Sequence, residues 1–413
     1  MNARILFLSL TNDVGSERVV HEMMQCGADC GLVSPVGFYC AALSCLAWLS
    51  TLPRGFGIRF NTLFVRARLE SAMRLWRPQL ILPLDDLSSW LLRSLALDSD
   101  TDAALRDTLI RSMGSPHGYV PSINRADFMD TAQALGIDKP HHCAVADRDA
   151  TLEAARSWGY PVVLKAEHTS GGAGIALVQD ADELRRRLDG LHNTSPFRRV
   201  KNWLRHRIYA QAGFGERAAA PGILQSFVAG TPAFRTVAAQ QGRVLCGVSF
   251  AAVQINPTPT GASTVIRHIE NQAMEASTSA LVEALGCSGF VSFDFMLDTE
   301  RQRALVIEMN PRSIGTTHLG RLFGLDVCGH LAATLGLDRP RPAPVPPVGG
   351  MVALFPKELE RSPTSPYISS LAVYHDIPAD EPRLVNMYTA RSRNRTKVKD
   401  WIDSKESFGS ELI

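Results

Sequence analysis

The chain lacks several things, and each absence removes a class of function. It has no Gly-Lys dipeptide, so it holds no phosphate loop of the usual strand-to-helix kind. G-x-G-x-x-G, G-x-S-x-G and H-E-x-x-H are also missing, which removes common dehydrogenases, ordinary α/β-hydrolases and zincins. Charge of one sign is lacking too: 43 basic against 41 acidic side chains leave a net charge of +2. Bulk charge therefore gives no case for nucleic-acid binding. Eight cysteines in 413 residues are too few for a disulfide scaffold. Cys26 and Cys30, like Cys40 and Cys45, are spaced more loosely than zinc-ribbon pairs and have no local histidine, so buried free thiols are expected. His141-His142-Cys143 reads as a surface loop entering a short strand.

Long hydrophobic runs are scarce as well. Residues 30–53 carry no charge, but Ser34-Pro35 and Gly37 interrupt them. The clean piece that remains, 38–52, falls short of the ~20 residues a spanning helix needs, and a buried helix is expected there. The apolar residues 5–8 are too few for a signal-peptide core. No membrane contact and a cytoplasmic location are expected.

What is present suits a soluble globular protein of two or three domains, with 45% hydrophobic and 20% charged residues. A short apolar strand over 4–10, a helix over 16–27, a strand at Leu32-Val33 and another at Leu80–Pro83 alternate as in a doubly wound α/β unit. Asp85 and Asp86 follow that last strand, where carboxylates line a cleft. One helix is expected over 122–135, capped by Ser122 and ended by Gly136. A helix over 151–158 leads to strand 160–165, a Gly-rich turn, a return strand over 175–178 and a helix over 180–188. The basic stretch 197–207 reads as a solvated amphipathic helix. Strands follow over 222–228, 234–239, 244–253 and 264–269, then a helix over 275–285. Residues 289–297 and 304–309 form a hairpin. Pro340, Pro342, Pro344, Pro346 and Pro347 make a stiff connector to a final segment too small for its own core, which is expected to pack back.

Two constellations carry chemistry. Ser170, Gly171, Gly172 and Gly174 sit between two strands and leave backbone N–H groups open to phosphate oxygens. Lys165 ends the strand that enters this flap and puts a fixed charge at the phosphates. In the second, Asp294 stands between Phe293 and Phe295, a costly place for a carboxylate unless it is paired or binds a cation. Glu308 and Asn310 are two apart and so share a strand face. If the strands pair, three hard oxygen donors converge, a set that suits Mg²⁺. Arg312, just beyond, has the fork to hold a transferring phosphoryl group.

Taken in order, the helix with Arg125, Pro-Val-Val-Leu-Lys165, Ser-Gly-Gly-Ala-Gly174, Leu-Gln-Ser-Phe-Val228-Ala-Gly230, Phe-Asp294-Phe-Met-Leu-Asp and Glu308-Met-Asn-Pro-Arg312 resemble the ATP-grasp superfamily. The likeness is to its carboxylate–amine ligase branch, which includes D-alanine–D-alanine ligases, and also to carbamoyl phosphate synthetase and biotin carboxylase. It covers residues 113–335.

The resemblance implies an α/β and α+β architecture: a doubly wound pre-ATP-grasp domain over 1–112, a small lobe with the flap over 113–190, a large lobe with the Mg²⁺ site over 191–338, and a Pro-rich linker with a C-terminal segment over 339–413. It further implies that Arg125 and Lys165 meet the nucleotide, and that Ser170, Gly171, Gly172 and Gly174 cover its phosphates. Gln225, Ser226, Phe227 and Val228 form the hinge that reads adenine and ribose, with Gln225-Ser226 where a Glu is usual. Asp294, Glu308 and Asn310 match Mg²⁺ ligands for two ions, with Mn²⁺ an alternative. Arg312 matches the arginine that steadies an acyl phosphate, and Arg267 a basic residue near the γ-phosphate or substrate. The implied chemistry is amide formation between a small carboxylate and a small amine through an acyl phosphate, giving ADP and phosphate. A homodimer is left open, and no nucleic acid is involved. The alternatives are an ATP-grasp carboxylase, another acyl-phosphate-forming enzyme, or a non-catalytic nucleotide-binding module.

Overall fold

The structure is a computed structural model. It describes residues 2–53, 62–167, 174–192, 222–258, 261–298, 300–337, 339, 341–342 and 344–392. The flap residues Ser170, Gly171 and Gly172 and the basic stretch 197–207 lie outside the described residues.

The N-terminal part is a four-stranded parallel sheet in the order β3-β2-β1-β4, with β1 Arg4–Leu8, β2 Asp29–Pro35, β3 Trp48–Leu52 and β4 Leu80–Pro83. Its helices are α1 Ser16–Gln25, α2 Thr62–Leu75, α3 Asp86–Leu97 and α4 Ala103–Met113. The buried helix expected within residues 30–53 is not there. That stretch is β2, a short 3-10 turn Tyr39–Ala42 and β3. Residues 30–35 are uncharged because β2 is buried there on both faces, as parallel strands are, and such a run has no alternation to mark it as a strand.

The helix expected over 122–135 is two helices, α5 Tyr119–Ile123 and α6 Arg125–Ala134. Asn124 breaks them with an extended backbone, and its side chain accepts from Asp127 N at 3.0 Å to cap α6. Arg125 becomes the first helical residue. A second, antiparallel sheet follows in the order β5-β8-β6-β7, with β5 His142–Ala144, β6 Val162–Ala166, β7 Ile175–Val178 and β8 Gly222–Ser226. Helices α7 Arg148–Trp158 and α8 Ala181–His192 cover it around Leu152, Val162, Leu164, Leu184 and Leu188.

The third sheet has seven strands in the order β13-β12-β9-β10-β11-β14-β15. Their ranges are β9 Thr231–Gln240, β10 Arg243–Asn256, β11 Ala262–Ile269, β12 Gly289–Asp298, β13 Arg303–Asn310, β14 Met351–Ala353 and β15 Tyr374–His375. One face packs on α6 and the helix Gln272–Ala284 through Phe128, Met274, Phe293 and Phe295. The other face shares a core with the N-terminal sheet and the C-terminal segment: Phe7, Val19 and Met23 meet Phe250, Phe290, Leu384 and Tyr388. The final segment thus packs back as expected, adding β14 and β15 to the sheet edge.

A close backbone crossing ties the first sheet to the third. Gly114, at φ +94°, bridges Cys287, and a Cβ there would sit 2.0 Å from the Gly286 carbonyl. All eight cysteines are free. Among the described residues no helix is long and apolar enough to cross a membrane.

Candidate active site

The site is built where the second and third sheets meet. β12 and β13 pair antiparallel with Asp294 directly opposite Glu308 and Ser292 opposite Asn310. Opposed residues share a face, so Asp294, Glu308 and Asn310 come together. The Asn310 amide donates to Asp294 Oδ2 at 3.1 Å. The next register pair is Phe295 with Val306, which leaves Ile307 as the extra residue of a bulge. Its carbonyl turns to the second sheet and accepts from Lys165 Nζ at 3.2 Å and from Gln225 Nε2 at 3.3 Å. The bulge thereby joins the two sheets, a feature for which sequence pattern offers no signal.

Glu308 is the hub of the charges. Arg125 donates to it at 2.8 Å, and Lys165 Nζ lies 3.7 Å from it. Arg125 also donates to Glu167 at 3.2 Å and to the Ala166 carbonyl at 3.2 Å. An arginine at the first position of a helix sits at the wrong end of the helix dipole, and the two glutamates offset that cost. Glu167 was not among the expected residues, although its spacing of two from Lys165 on an extended chain is a usable signal.

Burial pulls the two carboxylates of the hairpin upward, but they end apart. Arg125 and Lys165 overcome burial at Glu308 and hold it below the usual carboxylate range. Burial, with Glu308 opposite, pushes Asp294 up to about 7 despite the help of Lys165, Asn310 and Arg312. Burial likewise lowers the Lys165 ammonium and raises Glu167.

Arg312 leaves β13 and points at the N-terminal unit. Its Nε and Nη2 donate to the Asp86 carboxylate at 2.5 and 3.0 Å, and Nη2 also reaches Asn310 Oδ1 at 3.5 Å. Arg312 holds Asp86 below the usual range against the effect of burial. Asp85, its neighbour, is spent on structure: it caps α3 through Ser88 and takes Leu10 N at 2.7 Å.

The hinge residues divide. Gln225 is buried against Ile307, and Ser226 exchanges hydrogen bonds with His141, its Oγ accepting from His141 N at 3.0 Å. Phe227 lies beyond the strand end and is 43% exposed, with Val228 beside it. Gly174, at φ +82°, closes the β6–β7 hairpin by accepting from Ala166 N at 2.9 Å.

Arg267 is not brought to this cluster. Asp294, Phe234, Phe250 and His268 form one register row across four strands, so Arg267 falls on the opposite face. Three strand spacings, about 14 Å, also separate it from β12. It is exposed and touches Met351 Sδ at 3.7 Å.

The donors suit a small divalent cation in kind. Asp294 and Glu308 face each other, and the raised Asp294 marks negative charge that a cation would neutralise. Among the described residues no cluster of three or more Asp, Glu, His and Cys is arranged as a metal site. Two carboxylates and an amide instead match an ion that keeps water and phosphate oxygens as its other ligands.

Known proteins resemble parts of this chain in sequence and most of it in fold. Residues 124–201 match the ATP binding domain of the carbamoyl-phosphate synthase L chain. The chain is 24% identical over 215 residues to the carbamoyl phosphate synthase large chain, C-terminal section, of Methanopyrus kandleri, covering 50% of this chain and 36% of that one. It is 24% identical over 263 residues to the large chain of Thermotoga maritima, covering 59% and 21%. It thus spans about a third or less of the curated relatives' length. Among solved structures, the biotin carboxylase domain of Hydrogenobacter thermophilus 2-oxoglutarate carboxylase, in complex with MgADP and bicarbonate, superposes at TM-score 0.58 and 15% identity, covering 83% of this chain and 72% of that chain. An L-amino acid ligase from Bacillus licheniformis gives 0.54 at 16% identity, covering 79% and 72%.

Proposed function

We propose that this chain, which has the ATP-grasp fold, is an ATP-dependent carboxylate–amine ligase acting on small substrates, amino acids among them. The observation that carries the reading is the meeting of Asp294, Glu308 and Asn310 with Lys165 and Arg312 where two sheets join. Fold likeness alone would not choose a function.

The substrate carboxylate attacks the γ-phosphate of ATP and forms an acyl phosphate and ADP. The amine then attacks the acyl carbon, phosphate leaves, and the ammonium proton passes to solvent or a nearby base. Lys165 and Arg125 supply fixed positive charge on the nucleotide side, and Phe227 and Val228 offer an exposed apolar surface for a base. Arg312 offers the transferring phosphoryl group the guanidinium edge that Asp86 leaves open. Asp294, Glu308 and Asn310 would hold Mg²⁺, which when bound neutralises phosphate charge. Glu308 has a second task, since it keeps Arg125 and Lys165 in place. The site must exclude water at the acyl phosphate stage.

The test is ADP release by the purified protein with Mg²⁺, ATP and a panel of carboxylate–amine pairs, with bicarbonate as a separate arm. ADP formed only with a carboxylate and an amine supports the ligase. ADP formed with bicarbonate alone moves the assignment to a carboxylase, and no nucleotide binding at all removes both.

A further inference from the structure

Helix α3 presents three side chains to one short segment of the third sheet's unit. Asp86 holds the Arg312 guanidinium with two hydrogen bonds, at 2.5 and 3.0 Å. Ser89 Oγ donates to the Pro311 carbonyl at 3.1 Å. Arg93 Nη1 reaches the same carbonyl at 3.3 Å and Ser89 Oγ at 2.5 Å. Positions 86, 89 and 93 step by three and four, so they share one helix face. The start of α3 is itself anchored, because Asp85 accepts from Ser88 N at 2.8 Å and from Leu10 N at 2.7 Å.

Arg93 is the informative member. It is 2% exposed and makes no ion pair among the described residues. Its guanidinium lies over the Tyr119 ring at 5.4 Å, and its Nε has no hydrogen-bond partner. A buried cation without a counter-ion carries a desolvation cost that an aliphatic residue of similar volume avoids. Packing therefore does not explain the charge. The polar group it reaches outside its own helix is the carbonyl immediately before Arg312.

We propose that α3 is a positioning device for Arg312: Asp86 sets the direction of the guanidinium, while Ser89 and Arg93 fix the Pro311 peptide from which it springs. The N-terminal unit then decides where the arginine meets the nucleotide's terminal phosphate. The three residues act through Arg312 and do not touch the nucleotide. The inference rests on the ligase reading in one respect, the placement of Arg312 at the phosphoryl group.

The experiment is calorimetric titration of the full chain with MgADP and with the magnesium complex of the non-hydrolysable ATP analogue AMP-PNP. Asp86→Asn is expected to leave MgADP affinity within about twofold and to weaken AMP-PNP about tenfold. In an Arg312→Lys background the same change is expected to add less than about twofold. AMP-PNP affinity that is unchanged or tighter in Asp86→Asn overturns the proposal, because Asp86 would then merely sequester Arg312. So does a full tenfold loss in the Arg312→Lys background. Arg93→Met should repeat the selective loss if it folds. Ser89→Ala, which removes one hydroxyl, reads the same peptide should Arg93→Met not fold, with about a threefold loss expected in the AMP-PNP to MgADP affinity ratio. An unchanged ratio there overturns the role of the Pro311 peptide. A wild-type chain that binds neither nucleotide overturns both this inference and the ligase reading, whereas normal wild-type binding with a flat Asp86→Asn response overturns this one alone.

Discussion

Two partly buried charge networks bridge the parts of this molecule, and they are built to different ends. One joins α1, the turn Thr317–Phe323 and the C-terminal segment. There Arg18 pairs with Asp376, His318 Nε2 lies 2.9 Å from the same carboxylate, and Tyr388 donates to Glu17. Gly15 N adds a second donor to Glu17 at 3.1 Å. Burial pushes Glu17 up, yet both its oxygens are met and it has no exposed surface. Burial would also raise Asp376, but Arg18 and His318 hold it low. The other network is the candidate site. Asp294 too is pushed up, but it faces Glu308 and receives a single amide. The first network pairs Arg18 and His318 with Asp376 and Tyr388 with Glu17, leaves His318 Nδ1 without a partner, and fastens the chain. The second sets two carboxylates face to face, with Arg125 and Lys165 on Glu308 and one amide on Asp294. A raised carboxyl alone therefore does not distinguish the two networks; what sets Asp294 apart is that it faces another carboxylate and receives one amide hydrogen bond.

Mutations at the two networks should separate activity from stability. Glu308→Ala removes a proposed metal ligand and the carboxylate that Arg125 and Lys165 share. ADP release is expected to fall by about a thousandfold or more, against a loss of a few degrees in melting temperature. Retained turnover would remove Glu308 from the metal site. Tyr388→Phe should do the reverse. Glu17 loses its hydroxyl donor inside the core, at an expected cost of about 1–3 kcal/mol in a denaturant titration. MgADP affinity should stay within about twofold. If Tyr388→Phe weakens nucleotide binding as strongly as it weakens the fold, the two networks are not separate devices.

Much of the second network is legible in the sequence. An aspartate between two phenylalanines, and a Glu-x-Asn-Pro-Arg run at strand spacing, imply a polar face on a hairpin, and the alternation of β12 and β13 delivers it. Lys165 was legible as the end of the strand entering a glycine-rich turn. The rest depends on contacts across long stretches of chain. Asp86 and Arg312 are 226 residues apart in sequence, and only packing of α3 on the third sheet joins them. Arg267 failed for a related reason: its face depends on register through four strands, which no local pattern carries. Asn124 breaks a helix that periodicity reads as continuous, because a capping hydrogen bond there outweighs local propensity. The first network was invisible, since its members are spread from Glu17 to Tyr388 with no shared spacing.

The smallest effect gives the most direct test of the contrast, because it uses pH and leaves the wild-type chain intact. Burial and the facing Glu308 push Asp294 up to about 7 in the folded protein, well above its unfolded value. Its folded form thus binds a proton that the unfolded form has already lost. The stability this supplies to the metal-free protein is present at low pH and is lost as pH rises from about 4 through about 7. Cation binding has the opposite slope, since the proton must leave first. Mg²⁺ affinity, measured with ADP present, should rise about tenfold from pH 6 to pH 8, and Asp294→Asn should bind more weakly with a flatter profile. Glu17, also raised but fully satisfied, should leave that affinity profile unchanged when replaced by Gln. An Asp294→Asn protein whose Mg²⁺ affinity keeps the wild-type slope would place the titrating group elsewhere and erase the distinction between the two networks.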